Sequence, residues 1–167
     1  MGLGNTESVQ TKKHYLSINN GKVIIDRGQG KKDSFNFVEG FLEGIYTQKR
    51  NFGGEEVTRW FIDLRDGTDI YSICLPYSSG VFKSIVLALA SDEALSSSTP
   101  IRIEPYEKGG FTKVVVYSEG TKLDWVTNEL PPLKEIKVGS KVVKDDTERM
   151  NFINNLCNTI NQRITRG

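Results

Sequence analysis

One histidine, His14, and two cysteines, Cys74 and Cys157, are all the imidazole and thiol chemistry in this 167-residue chain. His14 stands at a strand start near the N-terminus, which leaves histidine-based triads and histidine-rich metal sites little to work with. Cys74 lies in a strand-like run and Cys157 in a helix-like one; with neither metal-ligand spacing nor a disulfide framework, both read as buried free thiols. Glu39 with Glu43 and Asp63 with Asp66 have the residue type for acid–base work. No nucleophile stands beside them, and strand and turn carboxylates of this kind are more often solvated edges. The glycines of DRGQGKK miss both the phosphate-loop and the dinucleotide spacing. The expectation is a protein that is not an enzyme and uses no cofactor or metal.

Aromatic and cationic residues make a better case. A flat side chain that stacks on a base contributes about 1–3 kcal/mol, and only a few cations along the phosphate track are needed beside it. In RWFIDLR, Arg59, Phe61 and Arg65 share one strand face, opposite Trp60, Ile62 and Leu64, which read as core. In DIYSICLPY, Tyr71 and Tyr77 share a face with Ile73 and Leu75, and the pattern leaves open whether that face is core or outer. Lys49, Arg50 and Phe52 fall in QKRNFGGEE, while Tyr106, Phe111 and Lys113 flank the turn Gly109-Gly110, so both stretches pair aromatics with cations. These are the candidate nucleic-acid-binding residues. Trp125, beside Leu123 and Val126, is open between core and rim.

Charge narrows the partner. The net charge is +1, and residues 37–126 hold nine basic and thirteen acidic groups. A duplex-DNA binder that relies on phosphate neutralisation shows a basic excess, which this chain does not have. Single-strand recognition by stacking makes no such demand. No apolar run approaches the roughly 20 residues that span a bilayer, and MGLGNTESVQ lacks signal-peptide regions. The chain is therefore expected in the cytoplasm, that of a host cell if it is viral, and off the membrane.

The elements that must position these residues follow in order. Residues 1–11 are polar and are expected to be disordered. HYLSINNGKVIID reads as a hairpin about Asn20-Gly21, and RGQGKKDS as a loop. FVEGFLEGIYT alternates, with Val38, Gly40, Leu42, Gly44 and Tyr46 on one face; its two glycines suggest a strand that bulges or coils to serve two halves of a small barrel. QKRNFGGEE is the next loop. VTRWFIDLR and DIYSICLPY follow around Asp66-Gly67, then a short apolar helix, VFKSIVLALA, with Ser78 or Ser79 as its cap. PIRIEPYE and FTKVVVYS complete five strands. Residues 127–144, with Pro131-Pro132, read as a linker with an extended segment at most. In residues 145–167, Met150, Ile153, Cys157, Ile160 and Ile164 share a helical face, with Asp145 and Glu148 at capping-box spacing.

Five strands with one helix between the third and fourth is the order of the oligonucleotide/oligosaccharide-binding (OB) fold, a five-stranded Greek-key barrel. The fold expected is thus mainly β: an OB-fold barrel over residues 12–126, with an N-terminal hairpin and a C-terminal amphipathic helix. Phe82, Ile85, Val86 and Leu89 would face the barrel bottom. The stretches FVEGFLEGIYTQ, RWFIDLRDGTDIYSICLPYSSGVFKSIVLALA, PIRIEPYE and KVVVYSEGTKLDWV resemble single-stranded DNA-binding proteins of tailed bacteriophages, over about residues 12–126. That resemblance implies sequence-tolerant binding of single-stranded DNA in replication or recombination, with replication or recombination proteins as further partners. The mechanism expected from the residues is stacking on Phe52, Phe61, Tyr71 and Tyr77, with phosphate contacts from Lys49, Arg50, Arg59 and Arg65. The C-terminal helix is expected either to dock on its own domain or to mediate self-association. The rival reading is a structural or protein-interaction module, such as a virion component, favoured by the acidic balance of residues 37–126. Oligosaccharide binding also fits the tyrosines.

Overall fold

The computed structural model describes residues 12–166, without the side chains of Phe52 and Arg166. The chain is mainly β. A nine-stranded sheet has the order β3-β2-β1-β6-β5-β4-β7-β8-β9, and β10 and β11 form a separate ribbon. In chain order these are β1 Lys12–Asn19, β2 Lys22–Gly28, β3 Lys31–Phe35, β4 Val38–Phe52, β5 Glu55–Asp66, β6 Asp69–Pro76, helix α1 Gly80–Ala90, β7 Pro100–Lys108, β8 Phe111–Ser118, β9 Thr121–Lys122, β10 Lys134–Val138, β11 Lys141–Asp145 and helix α2 Thr147–Arg166. The expected disorder of residues 1–11 lies outside the described residues.

The hairpin about Asn20-Gly21, the strand on either side of Asp66-Gly67 and the helix before β7 stand where the pattern put them. The closed five-stranded barrel does not. β6 pairs in parallel with β1, Lys12 opposite Asp69 and Leu16 opposite Ile73, so the edge that would close a barrel is occupied by the N-terminal strand and the sheet stays open. It nevertheless curls. The Gly21 N–H donates to Thr112 Oγ1 at 3.2 Å, and a Cβ on Gly21 would lie 2.8 Å from the Glu107 nitrogen, so the β1–β2 turn rests on the tip of β7–β8.

Three stretches read as irregular are β structure. KKDSF of the expected loop RGQGKKDS is β3, paired with β2; QKRNF and EE prolong β4 and β5 to a tight Gly53-Gly54 turn; and the expected linker contains the β10–β11 ribbon. Backbone pairing, which needs no apolar side chain, holds all three.

Strand β4 is the pivot. It pairs with β7 over Val38–Phe41 and with β5 from Phe41 to Phe52, with a bulge between Leu42 and Gly44. Gly40 has a separate reason: a Cβ there would meet the Arg65 carbonyl oxygen at 2.7 Å. Where β7 diverges, α2 takes its place. Phe82, Ile85, Val86 and Leu89 of α1 are fully buried inside the curl, as are Ile153 and Ile160 of α2, with Met150, Cys157 and Ile164 nearly so. Burial of each large aliphatic side chain is worth roughly 1.5–3 kcal/mol, so the C-terminal helix is part of the core, with its apolar face covered by its own chain. Ser79 caps α1, its Oγ accepting from the Phe82 N–H at 3.1 Å. Arg163 of α2 donates to the Ala90 and Asp92 carbonyls at the other end of α1. The expected capping box is altered: Asp145 accepts from the Thr147 N–H, and Glu148 pairs with Lys134. Among the described residues no helix is long and apolar enough to cross a membrane.

Candidate nucleic-acid interface

The face of the sheet turned away from the helices is set by register. Tyr15 on β1 stands opposite Ser72 on β6, Cys74 on β6 opposite Phe61 on β5, and Phe61 opposite Tyr46 on β4. Paired residues share a face, so Lys13 and Tyr15 of β1, Arg59, Phe61 and Asp63 of β5, and Tyr46, Gln48 and Arg50 of β4 gather on one side, with Ser72 and Cys74 of β6 between them. Trp60, Ile62 and Leu64 alternate to the other side and are core, with exposures of 2%, 0% and 0%.

Phe61 is itself only 2% exposed, although it lies outside the main core. Its cover is local. Tyr46 stacks on it with ring centroids 5.5 Å apart and planes 13° off parallel, Tyr15 meets it edge-on at 6.2 Å, and the Arg50 guanidinium lies 5.2 Å above its ring and 5.8 Å from that of Tyr15. The Lys13 ammonium sits between the two tyrosines, 5.6 Å from the Tyr15 ring and 5.4 Å from that of Tyr46. Each cation–π contact is worth about 0.5–1 kcal/mol at an exposed site. Tyr15 is half exposed and presents its ring to solvent.

A hydrogen-bonded relay fixes this cluster from below. The Lys13 ammonium donates to the Tyr46 hydroxyl at 2.7 Å; that hydroxyl donates to the Asp63 carboxylate, 3.0 Å from one oxygen and 3.2 Å from the other. Lys13 and Asp63 also form an ion pair at 3.4 Å. The Tyr46 hydrogen bond first, and the Asp63 charge next, hold the Lys13 ammonium above the ordinary lysine range. Asp63 thus orients a ring and a cation.

Of the sequence candidates, Arg50, Arg59 and Phe61 meet in this cluster or at its edge, Arg59 with its Nη1 3.8 Å from Cys74 Sγ. Lys49 is exposed and paired with Glu56 at 3.4 Å. The Phe52 side chain lies outside the described residues. Arg65 is on the same face but further along, tied to Glu43 and lying over Phe41. Tyr71 and Tyr77 are on the opposite face. Tyr77 stacks on Trp60 at 5.6 Å, and Tyr71 stacks on His14 at 5.4 Å beside a cleft of about 350 Å³ walled by Leu16, Val23, Ile25, Phe35 and Phe37. The open choice for β6 is thereby settled: Ile73 and Leu75 are core, and the tyrosines share their side. Trp125 is 46% exposed, a rim position.

Tyr106, Phe111 and Lys113 form a second group. Tyr106 pairs with Lys113 and Lys108 with Phe111, so all four share one face of the β7–β8 tip, with Phe111 70% exposed. Gly21 rests on that tip, and β1 runs from it back to Tyr15.

Tyr15, Tyr46 and Lys13 were missed by sequence reasoning. The bulge explains Tyr46: Leu42 and Ile45 both point into the core, so alternation slips by one at Glu43 and Tyr46 moves to the outer face. The signal was there in Gly44 and in the apolar Ile45 beside an amphipathic tyrosine.

No protein-family model, curated protein or solved structure matches the chain. What the face can do therefore follows from its own geometry: it offers stacking rings interleaved with cations, and among the described residues no group of three or more His, Cys, Asp or Glu side chains is placed to hold a metal ion.

Proposed function

We propose that this protein binds single-stranded DNA with little sequence preference, through the outer face of β1, β6, β5 and β4, in support of bacteriophage DNA replication or recombination. The observation that carries the reading is the Tyr15–Phe61–Tyr46 ring cluster beneath Arg50 and beside Lys13. A base stacks on the exposed ring of Tyr15. Arg50, exposed and held on the patch among the described residues by ring contacts and by Gln48, swings to a phosphate and uncovers Phe61 for the next base. Lys13 and Arg59 track the backbone. β1 then leads the strand toward Tyr106, Phe111, Lys108 and Lys113, a second stacking platform with its own cations.

The order of the middle strands supports the reading. β6-β5-β4-β7-β8, with α1 between β6 and β7, is the succession expected of an OB domain, here inside a sheet that stays open and is extended on both sides. The phage setting and the replication or recombination partners rest on the stretches that resemble phage single-strand binders.

The test is fluorescence anisotropy with labelled oligothymidine. The label belongs on the DNA, because Trp60 is buried on the far side of the sheet. Binding should be tight at low salt, weaken as salt rises and be weaker for duplex of the same length. Absence of single-strand binding at low salt rejects the proposal.

A further inference from the structure

The β10–β11 ribbon is unlike the rest of the molecule. Every residue of its strands is exposed except Asp145, including Ile136 at 45%, Val138 at 62%, Val142 at 57% and Val143 at 49%. A lone two-stranded hairpin is marginal in water, so this one has its cover still to come. Its charge says what kind. The strands carry Lys134, Lys137, Lys141 and Lys144 against Glu135 and Asp145. Lys134 is taken by Glu148 at 2.6 Å, whereas Lys137, Lys141 and Lys144 have no ion pair among the described residues. Lys137 lies opposite Val142, two residues before Lys144, so these two ammonium groups stand diagonally on one face, about 7–8 Å apart at the backbone.

Its place in the fold points to the same polymer as the aromatic face. The ribbon leads directly into α2, and Asn154 of α2 shares a groove with Thr58 and Val57 of β5 and with Tyr77. Seven helical steps separate Thr147, where α2 begins, from Asn154, about 10 Å of rise. Val57 is the cross-strand partner of Arg50, so the ribbon springs from the end of the molecule where Arg50 meets the ring cluster.

We infer that the β10–β11 ribbon is a second nucleic-acid contact, an arm whose Lys137 and Lys144 hold backbone phosphates of the single strand beyond Arg50. The inference rests on the reading of the aromatic face and extends its footprint. Val142, on the same face, lies against a sugar or base between those phosphates, while Lys141 with Ile136, Val138 and Val143 is on the ribbon's other face.

The test uses the full chain with Lys137→Gln and Lys144→Gln combined, and a matching double Lys→Arg variant. Binding is measured against salt for oligothymidines of about 6 and about 30 nucleotides, a span of lengths that brackets single-module site sizes. For the long oligomer the slope of log affinity against log salt should become shallower by about 1.4 in the glutamine variant, with affinity down roughly tenfold at low salt. The short oligomer should bind as to the parent, and the arginine variant should restore the slope. An unchanged slope and long-oligomer affinity, in a chain that still loses binding on Tyr15→Ala, overturns the arm and leaves the aromatic face standing. Loss of self-association in sedimentation, with DNA binding intact, overturns it in favour of a second copy as the occupant. A parent protein that binds neither oligomer removes both readings.

Discussion

Asn161 on α2 holds Ile45 on β4 by both of its main-chain groups: Asn161 Oδ1 accepts from the Ile45 N–H at 3.0 Å, and its Nδ2 donates to the Ile45 carbonyl at 2.9 Å. The side-chain amide does for β4 what a neighbouring strand would do, at the point where β7 has turned away. Asn161→Ala leaves a strand amide and a carbonyl without partners. Stability in urea should fall by about 2–3 kcal/mol, two hydrogen bonds at roughly 1–1.5 kcal/mol each. An unchanged midpoint would mean that water satisfies the strand as well as the helix does.

The two rings of the outer face should separate binding from folding. Tyr15→Ala removes a half-exposed platform; oligothymidine affinity should drop by about 1–3 kcal/mol, some 5- to 150-fold, with a melting temperature near that of the parent. Phe61→Ala removes a buried ring and should destabilise by roughly 3 kcal/mol or more as well as weaken binding. If Tyr15→Ala binds as well as the parent, the face is not a stacking platform.

Much of this face was legible. Phe61 and Arg59 separate from Trp60 and Ile62 by simple alternation, Ser79 announces its helix, and five residues of α2 mark their buried stripe at helical spacing. What stayed hidden had no side-chain pattern to betray it. β3, KKDSF, and the ribbon are exposed on both sides, so neither alternates. The bulge at Glu43 inverts a regular pattern part-way along a strand. The parallel partnership of His14 with Tyr71 joins segments that nothing in local sequence connects.

Gly40 offers a steric test of the sheet's coil. Gly40→Ala drives a methyl group to 2.7 Å from the Arg65 oxygen, a backbone atom that cannot step aside, and should lower stability by about 1–3 kcal/mol. Thermal melts of the variant check it. A neutral result would show that β4 and β5 slide apart freely at this point.

Lys13 gives a pH signature. Its pKa is raised by the Tyr46 hydrogen bond and by Asp63, so its stabilising effect is present in full below about 10.5, the ordinary lysine range, and is lost as pH rises through the higher folded value. Melts of the parent and of Lys13→Met should differ at pH 7 and converge as pH rises past the raised folded value. A constant gap would show that the side chain acts through packing alone.

Burial pushes the Cys157 thiol up to about 12, so it should resist thiol reagents in the native state and react only on unfolding, while half-buried Cys74 reacts first. Mass spectrometry of briefly alkylated protein distinguishes the two sites; early labelling of Cys157 would mean that α2 opens readily.

The partnership of β1 with β6 also sets a timetable. Lys12 meets Asp69, and Asn161 meets Ile45 more than a hundred positions earlier. On a ribosome β1 must wait for β6 to be made, and α2, which completes the interior, follows all the strands of the sheet. Contacts so distant along the chain slow the search for the native state. A nascent chain halted before α2 would carry the apolar inside of its sheet uncovered, a substrate for chaperones and proteases until the twenty residues of α2 arrive.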